Sequence, residues 1–166
     1  MITAIVHADK KWGIGKAGDM MFSLPLDMTF FRQTTMGHTV VMGGKTLRSF
    51  PNQKPLKNRV NIVLTRGQVC DECICVHSYE ELKNELKNRQ NEEIFIIGGG
   101  EVYKTLLPYC HFALVTKVDA DGGAEVFFPN LDEDENFVCV EEGEPLGDNG
   151  YTIRFTKYQN KAVQPL

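Results

Sequence analysis

The stretch Glu93-Ile94-Phe95-Ile96-Ile97-Gly98-Gly99-Gly100 decides the fold that the sequence predicts. Its apolar run has no polar alternation, which is typical of a parallel strand that is covered on both faces of a sheet. Three glycines follow directly, and a helix is predicted from Glu101 until Pro108 stops it. Glycine permits backbone angles that other residues forbid, and the start of a helix favours an anion. The stretch predicts either a phosphate cradle or a plain tight turn.

A second stretch repeats this pattern. An apolar strand is predicted at residues 39–42, followed by Gly43-Gly44-Lys45-Thr46 and a helix to about Phe50. A nucleoside triphosphate-binding loop would need glycine where Thr39 stands, which disfavours triphosphate hydrolysis. Two cradles of this kind suit the diphosphate of a dinucleotide. A glycine turn with a solvated Lys45 stays open as the alternative.

Asp27 is the chemical anomaly of the sequence, because it lies among Leu24, Leu26, Met28, Phe30 and Phe31. Pro25 fits only the first turn of a helix, so Asp27 and Phe31 are expected one turn apart on the same face. With so many apolar neighbours, we expect little of this helix to face water. A buried carboxylate needs a partner, which a ligand with hydrogen-bond donors would supply, whereas a simple role in the first helical turn remains the alternative.

The first loop contains a formal dinucleotide fingerprint, Gly13-Ile14-Gly15-Lys16-Ala17-Gly18. That fingerprint must open a helix, and Pro25 lies too soon afterwards for a helix to run through. We therefore interpret the segment as a glycine-jointed lid with an apolar cover that includes Met20 and Met21.

Size and charge narrow the class of protein. The chain has 166 residues and a formal net charge of -4, and we expect one domain over residues 1–166. This charge argues against nucleic acid and acidic membranes, and no stretch resembles a secretory signal or a membrane span. We expect a cytoplasmic protein with a small-molecule ligand, and a monomer because no apolar stripe demands a partner.

The cysteines invite a metal site but do not favour one. Cys70, Cys73, Cys75 and His77 are close in sequence, yet residues 73–77 have the pattern of a strand, and a structural zinc site usually draws a second pair of ligands from a distant segment. The chain has 5 cysteines, and its size does not require disulfides. We expect reduced thiols and no metal.

Further elements complete an α/β fold. Strands are predicted at residues 2–8, 59–66 and 112–119, and an amphipathic helix is predicted at residues 78–89. The last two strands, 137–142 and 151–158, leave no room for a crossover helix between them and should pair antiparallel.

Taken together, these motifs resemble the dihydrofolate reductase family along nearly the whole chain. The matching motifs are, in order, Ile14-Gly15, Leu24-Pro25-x-Asp27 with Phe31, Gly43-x-x-Thr46, Pro55-Leu56-x-x-Arg59-x-Asn61, Ile97-Gly98-Gly99-Gly100-x-x-Tyr103, and Thr116 with Asp119. The resemblance implies a mostly parallel eight-stranded sheet with an antiparallel C-terminal hairpin and helices on both faces.

The resemblance also implies a reaction, in which NADPH gives a hydride to C6 of 7,8-dihydrofolate while N5 receives a proton. Asp27 would be the catalytic carboxylate and would hold the pterin ring. The other implied substrate residues are Ile5, Phe31, Phe50, Leu56, Arg59, Ile97 and Thr116. The implied cofactor residues are His7, Ile14, Gly15, Gly43, Gly44, Lys45, Thr46, Thr65, Arg66, His77, Gly98, Gly99, Gly100, Glu101, Val102 and Tyr103. Antifolate inhibitors are implied as ligands.

Several residues depart from the family pattern. Met21-Phe22 replaces a usual Pro-Trp pair, and His7 stands where a small residue is typical, so proton delivery and the binding of diaminopyrimidine antifolates are expected to differ. Gly44 replaces a basic residue and Glu101 adds negative charge, so a preference for NADPH would depend on Lys45 and Arg66. Two alternatives remain: the pyrimidinone reductase of riboflavin synthesis, and a non-catalytic dinucleotide-binding module.

Overall fold

A computed structural model describes residues 1–17, 19–67 and 71–166 of the chain. The strands are β1 (Ile2–Ala8), β2 (Gly13–Gly15), β3 (Thr39–Gly43), β4 (Val60–Leu64), β5 (Ile74–Val76), β6 (Ile94–Gly98), β7 (Phe112–Val118), β8 (Val126–Phe127), β9 (Phe137–Glu142), β10 (Leu146–Asp148) and β11 (Tyr151–Asn160). The helices are α1 (Pro25–Thr35), α2 (Gly44–Ser49), α3 (Tyr79–Lys87) and α4 (Gly100–Leu106). Short 3-10 turns occupy Pro51–Gln53 and Leu107–Tyr109.

The main sheet has the order β10-β11-β7-β1-β6-β3-β4-β5, and β9 joins it by pairing with β11. All pairs from β7 to β5 are parallel, whereas β11 runs antiparallel to β7, β9 and β10. The predicted α/β fold is therefore confirmed, with eight positions across the sheet. The predicted pairing of the last two long strands is also confirmed, and β10 is an additional strand that pairs with the first part of β11.

Both faces of the parallel sheet are buried, as the uninterrupted apolar run of β6 predicts. Ile94 and Ile96 point into one core with α3 and α4, whereas Phe95 points into a second core that holds Leu47 of α2. Partly buried Phe30 and Phe31 of α1 pack against the second core. Helices therefore cover both faces.

The parallel strands bring their carboxyl ends to one edge of the sheet, where α/β proteins bind ligands. This edge receives candidate residues from several strands, because each of them lies in the C-terminal half of its strand or directly after the strand. They are His7 of β1, Gly43 of β3, Thr65 after β4, His77 after β5, Gly98 of β6 and Thr116 of β7.

Candidate active site

The carboxylate of Asp27 lies between two side chains of adjacent strands. Thr116 Oγ1 donates a hydrogen bond to Asp27 Oδ1 over 2.6 Å, and His7 Nδ1 lies 3.2 Å from Asp27 Oδ2. His7 and Thr116 are register partners of β1 and β7, which explains why both reach the same carboxylate. The Asp27 side chain is 13% exposed. The expectation of a largely buried carboxylate is thus confirmed, and the partners that the structure shows are protein side chains instead of a ligand.

The start of α1 is held by a residue from the far end of the chain. Pro25 occupies the first turn as predicted, but the N-cap Leu24 has no side chain that can accept a hydrogen bond. The carboxylate of Asp148 replaces this cap, because it accepts from Leu26 N at 3.1 Å and from Asp27 N at 3.2 Å. Asp148 is buried, and its hydrogen bond to Asp27 N fixes the backbone of Asp27 itself.

The exposure of α1 differs from the prediction that little of this helix faces water. Leu26 is 48% exposed and Met28 is 56% exposed, and Thr35 is the one fully buried residue among the residues of α1. Apolar content alone did not decide burial, because the helix packs through Phe30 and Phe31 and leaves its other side open. Part of this open side faces a cavity.

A cavity of about 280 Å³ lies in front of Asp27. His7, Phe22, Asp27 and Phe31 line it, together with neighbouring residues of the first loop. Two carboxylates line the cavity: Asp19 is exposed on the first loop, whereas Asp27 is largely buried and is held by protein side chains. A fixed carboxylate beside apolar residues gives the arrangement that a flat ring with a polar edge requires. Asp27 is therefore the polar anchor of this cavity.

Apolar residues that sequence analysis assigned to substrate lie around one cluster. Phe31, Phe50, Leu56 and Ile97 are partly buried, and they pack against a core that includes buried Ile5. These five residues come from different elements and are widely separated in sequence. The fold therefore brings the predicted apolar wall together.

Arg59 lies at the opposite end of α1 from Asp148. Its Nε donates to Thr35 Oγ1 at 2.9 Å, Nη1 donates to Lys57 O at 3.0 Å, and Nη2 donates to Arg32 O at 3.4 Å. Partial burial, followed by the positive charge of Arg32, lowers the pKa of Arg59. The guanidinium is thus fixed in place beside a second cation, in a position that favours an anionic group.

Tyr103 links the glycine-rich turn of β6 to the Asp27 region. Its buried hydroxyl donates to Ile5 O over 2.7 Å. Burial, and to a smaller extent the negative charge of Asp27, raises the pKa of Tyr103 far above its usual range, so the phenol remains a hydrogen-bond donor. The carbonyl oxygen of Ile5, one of the implied substrate residues, therefore already has one protein donor.

The two predicted glycine turns lie side by side, because β3 and β6 are parallel neighbours with Met42 opposite Gly98. Gly98 has a φ of +129°, a backbone angle that favours glycine, and Thr46 Oγ1 lies 3.5 Å from the position of a Cβ on Gly98. A Cβ on Gly44 would lie 3.1 Å from Arg48 Nη1 and 3.3 Å from Thr65 Oγ1. Side chains at these turns would fill the space between the two strand ends.

The remaining predicted cofactor residues continue along the same edge of the sheet. His77 Nδ1 lies 2.9 Å from Thr65 O, which brings these two residues together. Val102 is buried and lies against Gly43, whereas Lys45, Arg66, His77 and Glu101 are exposed. Exposed cations at this edge can pair with an anionic ligand, but no protein contact holds Lys45 or Arg66 in the described part of the chain.

Residues 13–15 of the first loop form a strand, β2, and no helix directly follows the glycines in the described residues, which confirms that the fingerprint there is not a Rossmann turn. Gly13 and Gly15 of β2 pair with Phe127 and Val126 of β8. Ile14 is partly buried against the larger core. Gly18 lies outside the described residues. This part of the loop is therefore held in place by β8.

Sequence analysis missed three contributors to this site. Asp9 accepts from Lys11 N, Gly13 N and Gly122 N at 2.8 to 2.9 Å and ties the first loop to the loop after β7. The second is the cap by Asp148, and the third is the contact of His7 with Asp27. The dipeptide Asn149-Gly150 signals a tight hairpin and would have predicted β10, with Asp148 at its end.

The prediction that all cysteines are reduced needs one correction. Cys75, Cys110 and Cys139 are free thiols, but Cys73 takes part in a disulfide, so the expectation of reduced thiols throughout is wrong for Cys73. Cys70 lies outside the described residues. Among the described residues, no group of three or more His, Cys, Asp or Glu side chains is placed to hold a metal ion. No helix in the described ranges is long and apolar enough to cross a membrane.

Several known proteins are similar to this chain in sequence and in fold. The sequence model described as dihydrofolate reductase matches residues 1–160. A dihydrofolate reductase of Bacillus subtilis is 34% identical over 164 residues, which cover 97% of this chain and 95% of the relative. One from Staphylococcus haemolyticus is 35% identical over 161 residues, with 95% of each chain covered.

A solved structure agrees with these sequence comparisons. The dihydrofolate reductase from Enterococcus faecalis, complexed with NADP(H) and RAB-propyl, superposes with a TM-score of 0.84 at 29% identity, and the match covers 96% of both chains. Sequence and fold agree over almost the full length of each protein. The chain therefore belongs to the dihydrofolate reductase family.

Proposed function

We propose that this protein reduces 7,8-dihydrofolate to 5,6,7,8-tetrahydrofolate with NADPH as the reductant. Family membership supports the activity, and one observation supports the assignment of its site. The Asp27 carboxylate is 13% exposed, is held by Thr116, and faces a cavity of about 280 Å³. A carboxylate in such surroundings is suited to hold a planar ring by its donor groups.

Asp27 orients the pterin ring. An ionised carboxylate has about four lone-pair sites, and the contacts with Thr116 and His7 use two of them. Two sites therefore remain for the ring N–H and the 2-amino group of the pterin. Two parallel, charge-assisted hydrogen bonds fix both the position and the rotation of a flat ring. This fixed orientation brings C6 to the face from which it is reduced.

Protonation at N5 depends on the same carboxylate without direct transfer from it. A negative charge at the edge of the ring stabilises the positive charge that develops when N5 accepts a proton. Water that enters beneath the first loop is the proposed proton carrier. Phe22 lines this part of the cavity and offers no hydrogen-bond donor, so the water has to be ordered by other groups.

The rest of the substrate extends along α1. Phe31, Phe50 and Leu56 supply apolar contacts for the aminobenzoyl group, because they pack around one core cluster. Arg59 binds the terminal carboxylate of the glutamate moiety. Its hydrogen bonds to Thr35 and to backbone carbonyls hold the guanidinium at the C-terminal end of α1, so little side-chain freedom is lost on binding.

The residues at the two glycine turns fit a dinucleotide. Gly44 and Gly98 keep clear the space that Cβ atoms would fill, and Thr46 and Thr65 bring hydroxyl groups to its border. Bound there, NADPH supplies the hydride that reduces the pterin. Lys45 and Arg66 are exposed cations, and we assign Arg66 with Thr65 to the adenosine 2'-phosphate. We assign three residues to the surroundings of the nicotinamide ring, namely His7, Ile14 and Tyr103.

An absorbance assay tests the proposed function. Purified protein with NADPH should consume it only when dihydrofolate is added, and chromatography should identify tetrahydrofolate in equal amount. The pyrimidinone intermediate of riboflavin synthesis serves as the alternative substrate in a parallel reaction. Turnover of that compound without turnover of dihydrofolate, or no turnover of either compound, would refute the proposal.

We also propose that the enzyme acts as a monomer in the cytoplasm, where both of its small substrates are available. Sedimentation of the purified protein should give the mass of one 18.7 kDa chain. A stable dimer at assay concentrations would contradict the monomer.

A further inference from the structure

The imidazole of His7 is an unusual second partner for the anchoring carboxylate. Its Nδ1 lies 3.2 Å from Asp27 Oδ2, and the side chains of His7 and Asp27 are 11% and 13% exposed. An ionised carboxylate only accepts hydrogen bonds, so Nδ1 carries the hydrogen when this contact forms one. Each oxygen of Asp27 therefore has one protein donor, with Thr116 on Oδ1.

The other nitrogen of the imidazole has no such partner. Among the described residues, His7 Nε2 is a buried side-chain nitrogen without a hydrogen-bond partner. The ring of Phe22 lies beside the imidazole, with 6.2 Å between the ring centroids. Because an apolar neighbour offers no polar contact, the bond to Asp27 is the polar interaction that orients His7 in the described structure. Asp27 and His7 are thus coupled.

We propose that His7 is a specificity-determining residue that weakens the binding of cationic rings to Asp27 relative to neutral rings. This inference rests on the proposed function, in which Asp27 holds the pterin ring. The imidazole withdraws part of the negative charge of Oδ2 through its hydrogen bond. A cationic ligand depends on that charge for ion pairing, whereas a neutral ring gains only hydrogen bonds, so the cation loses more affinity.

A matched pair of ligands separates these two classes. 2,4-Diaminopteridine and 2-amino-4-oxopteridine have the same bicyclic ring and differ in one substituent. The diamino ring is the more basic of the two and can bind to a carboxylate as a cation. The ratio of the two dissociation constants therefore measures how strongly the site discriminates by ligand charge. Calorimetry gives both constants without any need for turnover.

Three substitutions separate the nitrogen atom from the bulk of the ring. His7→Phe keeps a planar ring and removes both nitrogens, whereas His7→Asn retains an N–H donor near the position of Nδ1. His7→Leu is a second variant without a donor, which serves if the Phe variant fails to fold. His38→Phe is the control, because His38 packs beside Phe95 and does not contact Asp27.

We expect the Phe or Leu variant to favour the diamino ligand by about ten-fold more than the wild type does, because a hydrogen bond to a charged group is lost. The Asn variant and the His38 control should keep the wild-type ratio. An unchanged ratio in both donor-free variants, or an Asn variant that matches them, would overturn the proposal. Absence of dihydrofolate turnover by the wild type would refute the proposed function separately, since the ratio does not depend on turnover.

Discussion

Thr116 donates a hydrogen bond to Asp27 over 2.6 Å, although 89 positions separate the two residues in sequence. The bond joins β7 to the first turn of α1 and removes the rotational freedom of the carboxylate. A catalytic or binding group that is fixed before its ligand arrives loses less entropy when the ligand binds. The Thr116 hydroxyl is therefore expected to affect ligand binding as well as stability.

Thr116→Val removes this hydroxyl and preserves the shape of the side chain. Because the lost bond is made to a charged acceptor, we expect the free energy of unfolding to fall by about 1.5–3 kcal/mol. The KM for dihydrofolate should rise because Asp27 is no longer held in place. Urea denaturation and steady-state kinetics measure these two effects.

Thr156→Val is the matched control for that substitution. Thr156 Oγ1 donates to Val115 O over 2.6 Å in the same sheet, but its acceptor is a backbone carbonyl and not Asp27. The control should lose stability without a change in KM. Equal KM values for the Thr116 and Thr156 variants would show that the Thr116 hydroxyl has no effect on Asp27.

Asp148→Ala removes the cap of α1. Two backbone N–H groups, those of Leu26 and Asp27, then lose their acceptor, and we expect about 1–2 kcal/mol less stability. The KM for dihydrofolate should also rise, because the backbone of Asp27 loses a support. Asp121→Ala removes an exposed carboxylate that pairs with Lys11, and its urea midpoint should stay close to that of the wild type. Equal midpoints for the two variants would exclude the capping role.

Gly13→Ala tests the packing of the first loop. A Cβ on Gly13 would collide with Ala124 Cβ and would lie 2.9 Å from both carboxylate oxygens of Asp9. We expect a loss of about 1–3 kcal/mol and a higher KM for NADPH, because the loop must move away from its partners. Gly147→Ala is the control, since nothing lies within 4 Å of its Cβ position. A Gly13 variant as stable as this control would refute the close approach.

Arg66→Ala tests the proposed contact with the 2'-phosphate. The KM for NADPH should rise by about ten-fold or more, and the KM for NADH should change little, because only NADPH carries this phosphate. Arg154→Ala is the control. Arg154 lies on β11 and its Nη1 donates to Gly143 O at 3.2 Å, so its removal should leave both KM values unchanged. An equal rise in the KM values for NADPH and NADH in the Arg66 variant would show that Arg66 does not contact the 2'-phosphate.

Most of the fold follows from local patterns. The apolar run of β6 predicts a strand buried on both faces, and Pro25 and Pro108 set the limits of the helices near them. The helix predicted at residues 78–89 is present as α3, and Ser78 caps it, since its hydroxyl accepts from Glu81 N at 3.1 Å. These signals are local, because each one depends on residues within a few positions of one another.

The contacts around Asp27 depend on the register between distant strands. The sequence predicts that Asp27 needs a partner, and the family resemblance names Thr116 among the substrate residues. The contact of His7 with Asp27 follows instead from the pairing of His7 with Thr116 across β1 and β7. Asp148 reaches α1 only because β10 folds back along β11. The Asn149-Gly150 signal predicts the hairpin of β10 and β11, but no local pattern predicts that Asp148 meets the start of α1 or that His7 meets Asp27.

The sequence pattern also could not predict which side chains of α1 are buried. Its apolar residues cover more than one face, which predicts a buried helix, yet Leu26 and Met28 are exposed. The direction in which a short helix presents its apolar side chains is set by its neighbours, here by the core against which Phe30 and Phe31 pack. Composition therefore drew attention to α1 but did not predict which of its side chains are exposed.

The rate of hydride transfer in Asp27→Asn tests the central claim most directly. The substitution keeps the size of the side chain and removes the negative charge that holds the pterin and favours protonation at N5. With enzyme in excess over dihydrofolate at neutral pH, we expect stopped-flow absorbance to show transfer about 100-fold slower or more than in the wild type. Acid pH, where the substrate is already protonated, should restore part of the rate. Equal transfer rates for the variant and the wild type at neutral pH would contradict the role of Asp27.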